Sequence, residues 1–220
     1  MVRQNAIRVL VVDDHQLVRI GTSRLLEDIE GMEVIGQASS GEEAIELVQT
    51  LEPDVVLMDV QMPGMGGLEA TRRCLRIDPL LKVVAVTIHG SGPYPSQLLS
   101  IGAVGYLTKN ADVDEMVRAI KKVMAGQRYI SSEVAQQLAL KSIDASEQSP
   151  FDSLSGREVQ IMLLVIIGQT VAEISEKLSL SPKTVNSYRY RIFEKLEVKN
   201  DVALTRLAIK HGIVDGETIV

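Results

Sequence analysis

Asp54-Val-Val-Leu-Met-Asp-Val-Gln-Met-Pro-Gly-Met-Gly-Gly67 decides how this chain reads. Val55 to Met58 form an unbroken apolar run, the pattern of a parallel strand buried on both faces between helices. The run ends in an acid, Asp59, and the Pro63, Gly64, Gly66 and Gly67 cluster then breaks the strand ahead of a helix predicted over about 66–77. Open α/β sheets bind ligands at the carboxyl ends of their strands, so Asp59 stands where chemistry is done. Taken alone, such an acid is as readily a solvated loop carboxylate. What stands at the other strand ends decides between the two.

Four more strands are legible around it. Ile7-Arg-Val-Leu-Val-Val-Asp-Asp14 is a buried-strand pattern ending in two acids, and Leu17, Ile20, Leu25, Leu26 and Ile29 then recur at helical spacing. Val34-Ile35 lies in a short second strand. Ser40-Gly-Glu-Glu43 matches a capping box and opens a helix containing Ala44, Ile45, Leu47, Val48 and Leu51. Lys82 to Ile88 reads as the fourth strand, with Thr87 at its functional end. Gly90, Gly92, Pro93 and Pro95 lead into a short helix, Gly105-Tyr-Leu-Thr-Lys109 is the fifth strand, and Asp112 to Gly126 holds a closing helix. Five strands alternating with five helices predict a doubly wound, five-stranded parallel sheet.

The strand ends assemble a site. The first strand supplies Asp13 and Asp14, the third Asp59, the fourth Thr87 and the fifth Lys109. Three carboxylates repel one another unless a divalent cation sits among them, and hard oxygen donors with room for water suit Mg²⁺. Lys109 adds a movable positive charge and Thr87 a hydroxyl, both suited to phosphoryl oxygens. That set makes a phosphoryl-transfer site with Asp59 as nucleophile.

The 220 residues suffice for two ordinary domains, and 45% apolar with 24% charged residues describe a soluble globular chain. No stretch approaches the roughly 20 apolar residues of a membrane span, no leader-like apolar segment opens the chain, and Cys74 is the single cysteine. The expectation is a cytoplasmic protein. The net charge of −6 is uneven: residues 1–149 carry 14 Lys and Arg against 20 Asp and Glu, while 150–220 carry nine against nine. Lys183, Arg189, Arg191, Lys195 and Lys199 concentrate positive charge in one short segment, itself only a weak sign of nucleic acid.

After residue 126 the pattern changes. Residues 131–140 have helical spacing, and Ser142 to Pro150 is polar and ends in Pro, which reads as a linker. The expected division is 1–126, a linker over 127–150, and a second domain over 151–220. Ser155-Gly-Arg-Glu158 and Thr170-Val-Ala-Glu173 are capping boxes, and Ser181-Pro182 supplies an N-cap with Pro at the first helical position. Four short helices, the middle pair joined by the tight Ser179-Leu-Ser181 turn, read as a helix-turn-helix unit. At about 100° per residue, Val185, Ile192 and Leu196 share one face of the third helix. Lys183, Asn186, Ser187, Tyr190, Arg191 and Glu194 lie opposite, and such a face can meet base edges and phosphates.

Asp13-Asp14, Asp59 followed by Met62-Pro-Gly64, Thr87 and Tyr106-Leu-Thr-Lys109 resemble the receiver domain of two-component response regulators. The resemblance implies that Asp59 takes a phosphoryl group from a histidine kinase, with Asp13, Asp14, Asp59 and the carbonyl of Gln61 holding Mg²⁺. It implies that Thr87, Tyr106 and Lys109 form the switch, and that the chain is not an enzyme beyond weak self-dephosphorylation. Many receivers carry Pro after the Lys of the fifth strand; here it is Asn110. Leu154-Ser-Gly-Arg-Glu158, Glu173-Ile-Ser, Ser181-Pro-Lys-Thr-Val185 and Lys195-Leu resemble the LuxR-type output domain, as in the NarL/FixJ class. Gly126-Gln-Arg-Tyr-Ile130, Ser149-Pro-Phe151 and Ser181 to Arg191 are similar to the GacA/UvrY subgroup. That similarity implies a hybrid kinase of the BarA/GacS type, and small regulatory RNA promoters as targets. The expected mechanism is an active homodimer on double-stranded DNA, with Asn186, Ser187 and Tyr190 on bases, Lys183 and Arg191 on phosphates, and Thr184 among the DNA contacts. An aspartyl-phosphate hydrolase and a protein-docking module are the other readings of the same residues.

Overall fold

The computed structural model describes residues 6–87, 94–143, 150–211 and 213. The Gly90–Pro93 part of the predicted turn and residues 144–149 of the predicted linker lie outside them. The first half alternates strand and helix: β1 Ile7–Val12, α1 Gln16–Glu27, β2 Met32–Ala38, α2 Gly41–Leu51, β3 Val55–Asp59, α3 Gly66–Ile77, β4 Lys82–Thr87, α4 Tyr94–Ser100, β5 Gly105–Thr108 and α5 Val113–Met124. The strands pair in parallel in the order β2-β1-β3-β4-β5. The order reverses between β1 and β3, which opens a crevice at their carboxyl ends.

Side-chain alternation explains the layers. Val9, Val11, Val55 and Leu57 pack with Leu26 of α1 and Ile120 of α5 on one face. Leu10, Val12, Val56 and Met58 pack with Ala44 and Val48 of α2 and Ala70 of α3 on the other. Every residue of β3 is buried, as the unbroken apolar run predicts.

The sheet has six strands, one more than the five expected. β6, Tyr129–Ile130, pairs in parallel with Gly105 and Tyr106 at the edge, within the stretch expected to be linker. Two residues show no alternation for sequence reasoning to detect; they are fixed by backbone bonds, Tyr129 N–H to Val104 at 3.0 Å and Ser131 N–H to Tyr106 at 3.0 Å, and by the Tyr129 hydroxyl, which donates to Glu115 at 2.9 Å.

The second half is helical: α6 Ser132–Ile143, a 3₁₀ turn over Pro150–Ser153, α7 Gly156–Ile166, α8 Val171–Leu178, α9 Pro182–Lys195 and α10 Asp201–Lys210. Both capping boxes close reciprocally, Ser155 with Glu158 and Thr170 with Glu173. α8 ends on Ser179 in the left-handed region (φ 52°), which turns the chain sharply into the Ser181 N-cap of α9. Val185 and Ile192 are fully buried and Leu196 nearly so. One apolar cluster runs from Leu68, Tyr94 and Tyr106 through Phe151 to Val159 and Ile192, so the two halves share a core.

Candidate phosphoacceptor site and DNA-facing helix

The carboxyl ends of β1, β3 and β5 bring the acids and the lysine together. Nζ of Lys109 lies 2.6 Å from Oδ2 of Asp13 and 2.8 Å from Oδ2 of Asp59. Asp59 is 2% exposed and Asp13 4%, so these are buried charges held by a buried counter-charge. Lys109 is placed through its main chain as well, since its amide donates to the carbonyl of Thr87 at 2.6 Å. That bond, with the two carboxylates, aims the ammonium where many receivers use a following Pro. The second oxygen of Asp59 accepts the amide of Gln61 at 3.0 Å, which folds the loop back over the acid. Oδ1 of Asp13 accepts the amide of His15 at 2.8 Å.

Burial pushes the Asp59 carboxyl up to about 6, against the downward pull of Lys109 and the Gln61 amide. Burial pulls Lys109 down, but its bonds to Asp13 and Asp59 outweigh that and leave it above the ordinary lysine value. One carboxylate pair thus shares one ammonium, and burial keeps the Asp59 carboxyl raised in spite of it.

The donor set fits a hard divalent cation. Ligand atoms of Asp13, Asp14, His15 and Asp59 all lie within 4.8 Å of one another. Oδ1 of Asp14 is buried and accepts no hydrogen bond among the described residues; it faces Nδ1 of His15 at 3.0 Å. Carboxylate oxygens and a carbonyl are donors that Mg²⁺ accepts.

Thr87 and Tyr106 are both fully buried and joined side chain to side chain, so Tyr106 is a core residue rather than a half-buried edge aromatic. Tyr94 was not singled out from sequence. It is 4% exposed, and its phenol is held above the ordinary tyrosine value by burial and by the charge of Asp59. Only its place in a Gly/Pro-rich stretch marks it, and that signals a turn rather than a site. His15 also escaped notice, although it directly follows Asp13-Asp14.

α9 presents Lys183, Ser187, Tyr190 and Arg191 to solvent, Tyr190 at 71%. Their spacing of four, seven and eight residues from Lys183 makes one stripe. Asn186 and Thr184 sit at its half-buried margin. Asn186 Oδ1 accepts Arg189 Nη1 at 3.2 Å, and the Thr184 hydroxyl lies 2.8 Å from that of Ser181. Among the described residues no helix is long and apolar enough to cross a membrane.

Comparison with known proteins assigns both halves. The response regulator receiver domain family matches residues 9–121, and the luxR family of bacterial regulatory proteins matches 152–208. The chain is 61% identical over 209 residues to the response regulator GacA of Pseudomonas protegens, covering 95% of this chain and 98% of that one. It is 55% identical over 214 residues to the response regulator UvrY of Escherichia coli, covering 97% and 98%. A solved structure of RcsB from Salmonella enterica serovar Typhimurium, bound to promoter rprA with phosphomimetic BeF3⁻, is similar at TM-score 0.65 and 26% identity, covering 92% and 98%. With the acid pocket at the head of the sheet and the helix-turn-helix behind it, the chain belongs to the two-component response regulators, in the GacA/UvrY group with a LuxR-type output domain.

Proposed function

We propose that phosphorylation of Asp59 by a sensor histidine kinase controls sequence-specific DNA binding and transcription activation by this chain. The observation that carries the reading is the Asp59 carboxylate, 2% exposed and 2.8 Å from Nζ of Lys109, at the carboxyl end of the central strand. An oxygen of Asp59 attacks phosphorus, the phosphorus–nitrogen bond of a phosphohistidine breaks, and the departing imidazole keeps the electron pair. Lys109 is within reach of the oxygens of the transferred group, and Asp13 and Asp14, with the Gln61 carbonyl, are the groups that would hold Mg²⁺. When bound, that ion neutralises charge on the phosphoryl oxygens. Hydrolysis returns the carboxylate slowly, so the chain is a switch with at most weak self-dephosphorylation.

The acyl phosphate brings about −1.5 to −2 charges next to Tyr94, Tyr106 and Thr87. Two α9 stripes on a homodimer reach half-sites about one helical turn apart, in keeping with the RcsB dimers solved on DNA. Kinship with GacA and UvrY favours a BarA/GacS-type hybrid kinase in the cytoplasm and promoters of small regulatory RNAs. The test is promoter binding before and after Mg²⁺ and a small acyl phosphate, for the wild type and Asp59→Ala. A gain confined to the wild type supports the reading; the same affinity in both proteins and both states sinks it.

A further inference from the structure

Arg189 belongs to the positive segment around α9, yet it does not stand out in solvent with Lys183 and Arg191. Its guanidinium turns toward the start of α10. Nη2 donates to Oδ2 of Asp201, the first residue of that helix, at 2.5 Å. Cζ lies 5.8 Å from the centre of the Phe193 ring, one turn further along α9. Nη1 donates to Oδ1 of Asn186, one turn back, at 3.2 Å. Nε of Arg189 and Oδ1 of Asp201 are shut off from solvent, so water does not compete for this end of the pair. Neighbours from two helices thus fix the cation, and the cation fixes Asn186.

A guanidinium only donates, so the Asn186 atom that faces it has to be the carbonyl oxygen; turning the amide over would set N–H against N–H. Oδ1 is held toward the protein, and the Nδ2 donors are what the side chain has left for a base. That removes the usual way in which asparagine reads DNA. Bidentate recognition of adenine needs Oδ1 to accept from N6 while Nδ2 donates to N7. With Nδ2 alone the best partner in the major groove is guanine, whose O6 and N7 both accept. Adenine and thymine offer one acceptor each, and cytosine only a donor. Ser187 is not committed in this way: its hydroxyl donates to the carbonyl of Lys183 at 2.9 Å, but a hydroxyl can rotate and take either role against a base.

We infer that Asp201 and Arg189 are positioning residues that hold Asn186 as a donor-only reader, and so make guanine rather than adenine the base it selects. The inference rests on α9 entering the major groove of DNA. It gives α10 a part in sequence choice although Asp201 itself need touch no base. Arg189 then acts on DNA through Asn186, while Lys183 and Arg191 act on it directly.

The test is selection of duplexes from a randomised library by the full chain in Mg²⁺ and a small acyl phosphate, for the wild type, Asn186→Ala, Arg189→Met and Asp201→Asn. The position whose preference vanishes in Asn186→Ala is the one that residue 186 reads. There the wild type is expected to enrich guanine over adenine about fivefold or more. Arg189→Met frees Oδ1 and should shift the ratio toward adenine by a similar factor, with Asp201→Asn moving it the same way by less. A ratio of two bases is read within one protein, so a general loss of affinity leaves it undisturbed. Should Arg189→Met bind no DNA, the wild type decides. A 7-deazaguanine at that position lacks the N7 acceptor and should weaken binding about threefold or more; unchanged binding counts against the relay. Adenine favoured by the wild type, a ratio that Arg189→Met leaves within twofold, or no position lost in Asn186→Ala overturns the inference and leaves α9 a reading helix. A wild type that enriches no sequence removes both.

Discussion

Glu158 in the first turn of α7 and Lys195 in the last turn of α9 are joined at 2.7 Å, with the Glu158 side chain 4% exposed and that of Lys195 39%. The same carboxylate closes the capping box on the amide of Ser155 at 2.7 Å. One acid thus caps α7 and anchors the end of α9. Burial raises the Glu158 pKa, but the bonds from Lys195 and Ser155 outweigh it and leave the group below the ordinary carboxylate value. A depressed folded value gives stability that is present above the unfolded pKa and lost as pH falls through the folded one. Lys195→Met strands the carboxylate and should lose about 2–3 kcal/mol in urea denaturation at pH 7. The loss should shrink as pH falls from about 4 through the lower folded value, beneath which the acid is protonated in both states. A loss under about 0.5 kcal/mol would show the pair to be a surface ornament.

Asp59 has the opposite sign. Burial, first, and the charge of Asp13 hold its carboxyl up at about 6 despite Lys109. A folded pKa above the unfolded value of about 3.9 gives stability that is fully present below about pH 4 and disappears as pH rises through the folded value. At pH 7.5 without divalent metal, Asp59→Asn should therefore stabilise the chain by about 2 kcal/mol, measured by thermal melting. The gain should narrow at pH 5 and again on adding Mg²⁺. A destabilised Asn variant at pH 7.5 would contradict the assignment.

Gly67 is glycine because nothing larger fits. A Cβ there would lie 1.9 Å from the carbonyl oxygen of Asp59, a backbone atom that cannot swing aside. Gly67→Ala should cost on the order of 3 kcal/mol and weaken beryllofluoride binding with it, because the loop and the acceptor strand must separate. Unchanged melting and binding would mean that α3 can slide to make room.

On α9, Lys183→Ala should weaken binding to every DNA sequence alike and lower the slope of log affinity against log salt by about one. Loss of discrimination with the slope intact would move Lys183 from the phosphates to the bases.

The acid pocket was legible because each member ends a strand whose burial pattern is local, so Asp13, Asp59, Thr87 and Lys109 could be aligned without coordinates. The capping boxes at Ser155 and Thr170 were legible for the same reason, each lying within four residues of sequence. What escaped was long-range and written in backbone. Gln160 finds Met62 across 98 positions and Arg157 finds Gly64 across 93, both through carbonyl groups that every residue carries. β6 escaped because two residues have no period. Tyr94 escaped because it opens α4 while the groups it meets, Asp59 and Tyr106, belong to β3 and β5.

Lys109, seated between two buried acids, has a consequence for the life of the protein in a changing cell. A pocket of bare carboxylates would need a cation to stay folded, as small zinc domains need their metal. Here the chain supplies its own counter-ion, 2.6 Å from one acid and 2.8 Å from the other. The charge balance that keeps this pocket folded is thus written into the chain itself, and the amount of folded protein need not follow the supply of any cation.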